Sequence, residues 1–382
     1  YPVLDAQGNE TGQMSAERND IFTWNSVSPR VGIVWKLNES GHTVLKAHAG
    51  RYYRGIVTGE YDNTSPSVTP RFLFFFDSDG NRIDFEQVSD NSNLSVDPNF
   101  KNPYTDQFIV GFEHELVKNL GVMVNYTYKR GEDYGGWRDT VGTYVPVQYL
   151  DDTGAEPTNQ TFTLFRLESD PEQRRFQLTS PDRMFSRYKG LIIQATKRMS
   201  DNWQGTFSVV LSKSTGRIGS SRSSPTADQT GTAGTFGQNP NDFVNTEGRL
   251  IADRPVIAKA QVVVNLPWRF LLGTNVVYQT GSLWSRQLRV GDLGFPARPT
   301  INTEANTGDR RVADQTMVDV RVEKSFELGG RANAAVFGDL LNLFNSDANQ
   351  GVLSRLADQD TFGDPSTFVF PRRLMVGAKI RF

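Results

Sequence analysis

Three histidines, His42, His48 and His114, and no cysteine at all bound the chemistry open to this 382-residue chain. Without thiols there is no disulfide, thiolate metal centre or cysteine nucleophile. The histidines lack the close spacing with which one element offers metal ligands. They also fall at different depths of the strands described below, so no Ser, His and Asp can converge into a triad. Residues 77–81, DSDGN, have the flavour of a calcium loop, but Gly80 is fourth where an EF-hand loop needs glycine at the sixth position. A hairpin turn between FLFFF and RIDFE accounts for them better. The sequence therefore predicts no catalytic residue, no metal site and no cofactor, and the protein is expected not to be an enzyme.

Binding chemistry is better represented. Residues 130–149, RGEDYGGWRDTVGTYVPVQY, mix rings with charge, and Trp137 and Tyr144 are the candidates there for contact with a bulky or sugar-like ligand. The turn-rich, low-complexity stretch 214–240 reads as a mobile loop that could also help capture a ligand. A second set is charged. In TMVDVRVEKSF, Asp319, Arg321 and Glu323 alternate with Val318, Val320 and Val322. In RRLMVGAKIRF, Lys379 and Arg381 alternate with Leu374, Val376, Ala378, Ile380 and Phe382. A charge facing lipid at mid-membrane depth costs about 2–4 kcal/mol, so these five charges are expected to face an inner lumen, where they could hold a plug or line a path.

The elements that position these residues are strands. Eleven segments of 9 to 12 residues carry strand character: 29–37, 43–53, 105–116, 121–129, 187–198, 203–213, 256–266, 270–280, 316–326, 331–341 and 372–382. A tilted strand needs roughly 9–11 residues to cross a bilayer. The connections alternate without exception between 3–5 residues and long loops at 54–104, 130–186, 214–255, 281–315 and 342–371. Tight turns at one rim and large loops at the other are the signature of an up-and-down transmembrane β-barrel. No run of 18 apolar residues marks a transmembrane helix, and the mean hydropathy of −0.47 fits strands in which only alternate residues meet lipid. A net charge of −2, with 41 basic and 43 acidic residues spread along the chain, gives no basic face for nucleic acid.

Three basic residues, His114, Lys197 and Lys324, fall on the apolar faces, each just before a short turn, where a basic side chain can reach the headgroups. The fold class expected is all-β, an antiparallel up-and-down barrel. Because single-chain bacterial barrels have an even strand number, eleven strands read as the last half of a 22-stranded one. Residues 1–28 would then be the remnant of an extracellular loop and 29–382 the barrel half, with targeting information upstream of Tyr1. Arg372 would open the closing strand, left as an exposed edge without its partner.

Several stretches in order resemble the C-terminal part of TonB-dependent outer-membrane receptors, in particular the Oar-like subgroup with a carboxypeptidase-regulatory-like N-terminal domain. They are NSVSPRVGIVWKL, TVLKAHAGRYY, NPYTDQFIVGFEHEL, SRYKGLIIQATKRMSDNWQGTFSVVLSKS, NPNDFVNTEGRLIADRP, VFGDLLNLFN and RRLMVGAKIRF, and they cover nearly everything from Asn25 onward. The resemblance implies a bacterial outer-membrane receptor with a plugged lumen, energised through TonB, ExbB and ExbD, that imports or exports a large or scarce ligand. It also implies that Phe382 is the signal read by the barrel-assembly machinery. The competing expectation is an adhesive or structural outer-membrane barrel whose loops bind surfaces without transport.

Overall fold

The computed structural model describes residues 2–4, 10–14, 23–54, 71–76, 82–89, 93–155, 159–217, 236–250, 253–304, 310–329 and 332–382. Eleven strands follow one another as an antiparallel meander: β1 (Arg30–Lys36), β2 (Thr43–Tyr53), β3 (Tyr104–Val117), β4 (Leu120–Glu132), β5 (Phe185–Ser200), β6 (Trp203–Arg217), β7 (Val256–Leu266), β8 (Phe270–Gln279), β9 (Gln315–Gly329), β10 (Ala332–Leu341) and β11 (Arg373–Arg381). Each strand bonds to its sequence neighbours, with β1 and β11 at the two edges of the sheet.

All eleven expected strands are present, but several run longer than the bilayer requires. β3 has 14 residues, β5 has 16, and β6 and β9 have 15 each. The apolar alternation marks only the part facing lipid, whereas the backbone ladder continues beyond it, on the loop side through polar pairs such as Thr105↔Gly131 and Ser186↔Gly131, and in β9 on the turn side through Glu327↔Asn333.

The short turns are tight because their residues accept left-handed backbone. Gly41, Asn119, Asp201, Asn202, Trp268, Arg269 and Gly329 all have positive φ. Asn, Asp and Gly adopt it readily, and two such residues in succession, as at Asp201 and Asn202, give the hairpin turn whose twist matches the strands. Trp268 has no such ease, and its ring is left 81% exposed at the turn.

The faces sort as alternation requires. Phe108, Val110 and Phe112 on β3, Phe207, Val209 and Leu211 on β6, and Leu374, Val376 and Ile380 on β11 are exposed apolar residues at every second position. The three basic exceptions bend toward the turns. His114 Nδ1 meets Thr43 Oγ1 at 2.8 Å. Lys197 Nζ bonds to the Ser200 hydroxyl and lies 4.9 Å from the Trp203 ring. Lys324 Nζ reaches the Trp268 carbonyl and lies 4.6 Å from the Phe270 ring.

Periodicity gives no hint of how the long loops fold, yet they carry strands and cores of their own. Tyr144–Leu150 pairs with Thr161–Leu167, Gly136–Asp139 with Phe176–Thr179, and Gln287–Arg289 with Thr300–Asn302. One buried cluster joins Phe162, Leu164, Leu288, Val290, Leu293 and Ile301. A second joins Val96, Phe100, Trp137, Phe176 and Leu178. Arg71–Phe76 pairs with Arg82–Ser89, as the hairpin expectation required, while residues 77–81 between them lie outside the described residues. Residues 218–235 of the low-complexity stretch also lie outside them.

Candidate ligand-binding loop layer and lumen wall

The charged face of the sheet is built from cross-strand pairs. Arg321 on β9 forks onto Asp339 directly opposite on β10, at 2.6 and 2.7 Å, and its guanidinium lies 4.3 Å from the Phe337 ring. Lys379 on β11 lies opposite Ala335 and reaches past it to Glu323 on β9 at 2.6 Å. Gly377 makes room for this packing, since a Cβ there would come within 2.4 Å of Phe337. Asp319 accepts from Asn275 Nδ2 and from the Asn342 amide that starts the β10–β11 loop. Arg381 is exposed near the end of β11, and Phe382 beyond it is 96% exposed. At the other side of the sheet Arg51 forks onto Asp106, and Lys46 meets Glu113 at 2.5 Å. Four of the five residues singled out from sequence are thus engaged by neighbouring strands or loops, Arg321, Glu323 and Lys379 in ion pairs and Asp319 through neutral amides.

At the long-loop rim, a cavity of about 420 Å³ opens between the β4–β5 and β6–β7 loops. Trp137 and Tyr144 both line it, with Phe243 and Pro240 from the facing loop. Trp137 is only 3% exposed and packs into the second buried cluster, so it forms wall rather than a free stacking platform. Its Nε1 donor has no acceptor among the described residues. Gly237 lies against its backbone: a Cβ there would sit 2.2 Å from the Trp137 carbonyl oxygen, and the Trp137 amide donates to Phe236 at 2.9 Å.

Tyr144 is held by a joint that the sequence does not advertise. Its hydroxyl donates to Asp139 at 2.5 Å, and Arg174 donates to the same carboxylate at 2.7 Å and to the Tyr144 oxygen at 3.1 Å. Arg174 also bonds to the Gln238 carbonyl of the β6–β7 loop and lies over the Phe295 ring of the β8–β9 loop. One guanidinium thereby ties three loops together. Burial alone would raise the Asp139 carboxyl, but hydrogen bonds from Tyr144, Arg174 and the Gly142 and Val141 amides outweigh it and hold the group below the usual carboxylate range. Burial and the bond to Asp139 push the Tyr144 hydroxyl well above its ordinary value.

Two further clamps lock the layer. Arg286 of the β8–β9 loop meets Asp151 of the β4–β5 loop at 2.6 Å with both side chains fully buried, and it also donates to Thr153 and Ala155. Asp253, fully buried, receives Arg249, Arg311 and the Ser214 amide. Trp284 packs edge-on against Phe362 inside this layer, with Arg310 over both rings. The described residues contain no group of three or more His, Asp or Glu placed to hold a metal.

The long-range comparison agrees with the strand pattern. A family model described as an outer membrane beta barrel domain matches residues 6–280. The chain belongs to that family. As an outer membrane beta barrel domain it resides in the bacterial outer membrane, with the alternate apolar residues of its strands toward lipid. None of the curated proteins matches it. Among solved structures it is similar to the outer membrane transporter YddB from Escherichia coli, at 12% identity and a TM-score of 0.55, over 92% of this chain and 40% of that one. It also aligns with the pyoverdine outer membrane receptor FpvA from Pseudomonas aeruginosa PAO1, at 10% identity and a TM-score of 0.49, over 93% and 36% of the two chains. The outer membrane beta barrel domain described here therefore spans about two fifths or less of the length of these two proteins.

Proposed function

We propose that this domain forms part of the wall and outer loop layer of a TonB-energised receptor, of the Oar-like kind its sequence resembles, that carries a large or scarce ligand across the outer membrane. The observation that carries the reading is the loop layer itself: interlocked loops with buried cores and a preformed cavity, standing on a wall of membrane-spanning strands. Binding sites concentrate on loops held by a rigid scaffold. The likeness of fold to YddB, an outer membrane transporter, supports the transport assignment. On this reading Asp319, Arg321, Glu323, Lys379 and Arg381 face a lumen closed by a plug, and Trp137 and Tyr144 belong to the ligand-facing loops.

The test is genetic. Deleting the gene and deleting tonB should impair growth on the same limiting nutrient, and the double deletion should be no worse than either. A gene deletion that weakens surface attachment equally with and without TonB, and leaves nutrient use intact, would instead establish the adhesive alternative.

A further inference from the structure

The lining of the loop cavity divides into groups whose hydrogen bonds are already made and groups whose bonds are not. Asp139 accepts four, from Tyr144, Arg174 and the Val141 and Gly142 amides. Tyr144 is tied to Asp139 and Arg174. Thr179 donates to Asp97, and the Ser180 hydroxyl accepts from the Lys101 amide.

What is left over is mainly donors. Arg183, exposed at the mouth of the cavity, forms no ion pair among the described residues, and its guanidinium lies 5.9 Å from the centre of the Phe243 ring. Arg138, also exposed, makes one side-chain hydrogen bond among the described residues, to Gln177. The buried Trp137 Nε1 has no acceptor among the described residues, which is costly unless a ligand supplies one. Asp182 is the single lining carboxylate without a bond among the described residues. Around these donors the walls are apolar, from Tyr144, Pro181, Pro240 and Phe243.

A site with excess donors and apolar walls complements a ligand with excess acceptors and an apolar face. A guanidinium fork matches a carboxylate in geometry as well as charge. The volume lies within the range of about 300–1,000 Å³ typical of small-molecule sites. We propose that this cavity binds small organic carboxylates bearing an apolar face, with the carboxylate seated on Arg183. The inference rests on the reading of the loop layer as ligand-capturing and narrows it to a chemical class. Such a carboxylate has two ready sources, an acidic sugar and the free C-terminus of a short peptide.

The experiment is calorimetric binding to the protein purified from outer membranes in detergent. The probes are a trisaccharide of uronic acid and a tripeptide with a free carboxyl terminus, each beside its neutral methyl ester. At least one acid should bind, its ester should bind at least tenfold more weakly, and Arg183→Gln should weaken the acid by a similar factor while leaving the loops as protease-resistant as before. Which acid binds identifies the source. An ester that binds within twofold of its acid would overturn the carboxylate assignment while leaving a ligand-capturing cavity in place. Failure of both acids, or binding indifferent to Arg183→Gln, would overturn the site. Neither outcome touches the tonB experiment, which judges the receptor reading separately.

Discussion

At the scale of single residues, the loop layer depends on a few charges whose removal should be felt far from the membrane. Breaking a buried ion pair by removing one partner leaves an uncompensated charge and costs about 3–5 kcal/mol. Arg286→Met, which strands Asp151 at zero exposure, is therefore expected to loosen the β4–β5 loop against the β8–β9 loop. Limited proteolysis should then cut the loops, while the heat-resistant mobility of the membrane-embedded strands on a gel stays unchanged. The Asp139–Tyr144 joint makes a prediction about pH. A carboxyl held below its unfolded value stabilises the fold fully above about pH 4 and loses that contribution as pH falls through its folded value. A phenol raised above its unfolded value contributes fully below about pH 10 and loses it as pH rises through the folded value. Protease resistance of the loops should therefore be flat between those limits and fall away on both sides; a transition near neutrality would contradict this origin. Trp137 and Tyr144 could be picked from sequence because rings among charges stand out. Arg174 could not, since its partners Asp139, Tyr144 and Gln238 are scattered along the chain and only the folded loops bring them together.

At the scale of the element, the strands were legible because lipid imposes a period on them. β2 and β7 run over Thr43–Tyr53 and Val256–Leu266, the ranges the alternation marks, since apolar residues end where the bilayer ends. The loop-side extensions of β5 and β6 escaped because nothing there needs to be apolar, and the loop strands escaped because their cores are assembled from short pieces of several loops rather than from one periodic segment. The same physics makes the lipid face sensitive to charge. Val376, in the middle of β11, is 73% exposed on the side shared with Leu374 and Ile380. Val376→Lys should cost about 2–4 kcal/mol in the membrane and reduce the fraction of assembled, heat-resistant protein. Lys379 lies on the opposite side and is paired with Glu323, so moving a lysine by an odd number of positions separates a tolerated charge from a damaging one. On the proposed reading, in which this face lines a lumen, Arg321→Ala should act differently again, leaving Asp339 without its fork but near water, and should spare assembly more than Val376→Lys does.

At the scale of the whole molecule, the decisive feature is what bounds the sheet. β1 and β11 each bond to a single neighbour, β2 and β10, so both present a row of backbone donors and acceptors at membrane depth without partners in the described sheet. In hydrocarbon each such unsatisfied group costs several kcal/mol, which is why spanning sheets close on themselves. With seven residues in β1 and nine in β11, these rows cannot rest against lipid. They must be covered by further strands, by each other, or by another copy. The 382-residue chain expressed by itself and refolded in detergent should accordingly associate through its edges and run as a broad, heat-sensitive population on size exclusion and gel electrophoresis. A sharp monomeric peak with heat-resistant mobility would mean that β1 and β11 meet each other, and the charged wall would then enclose a lumen far narrower than a plug requires.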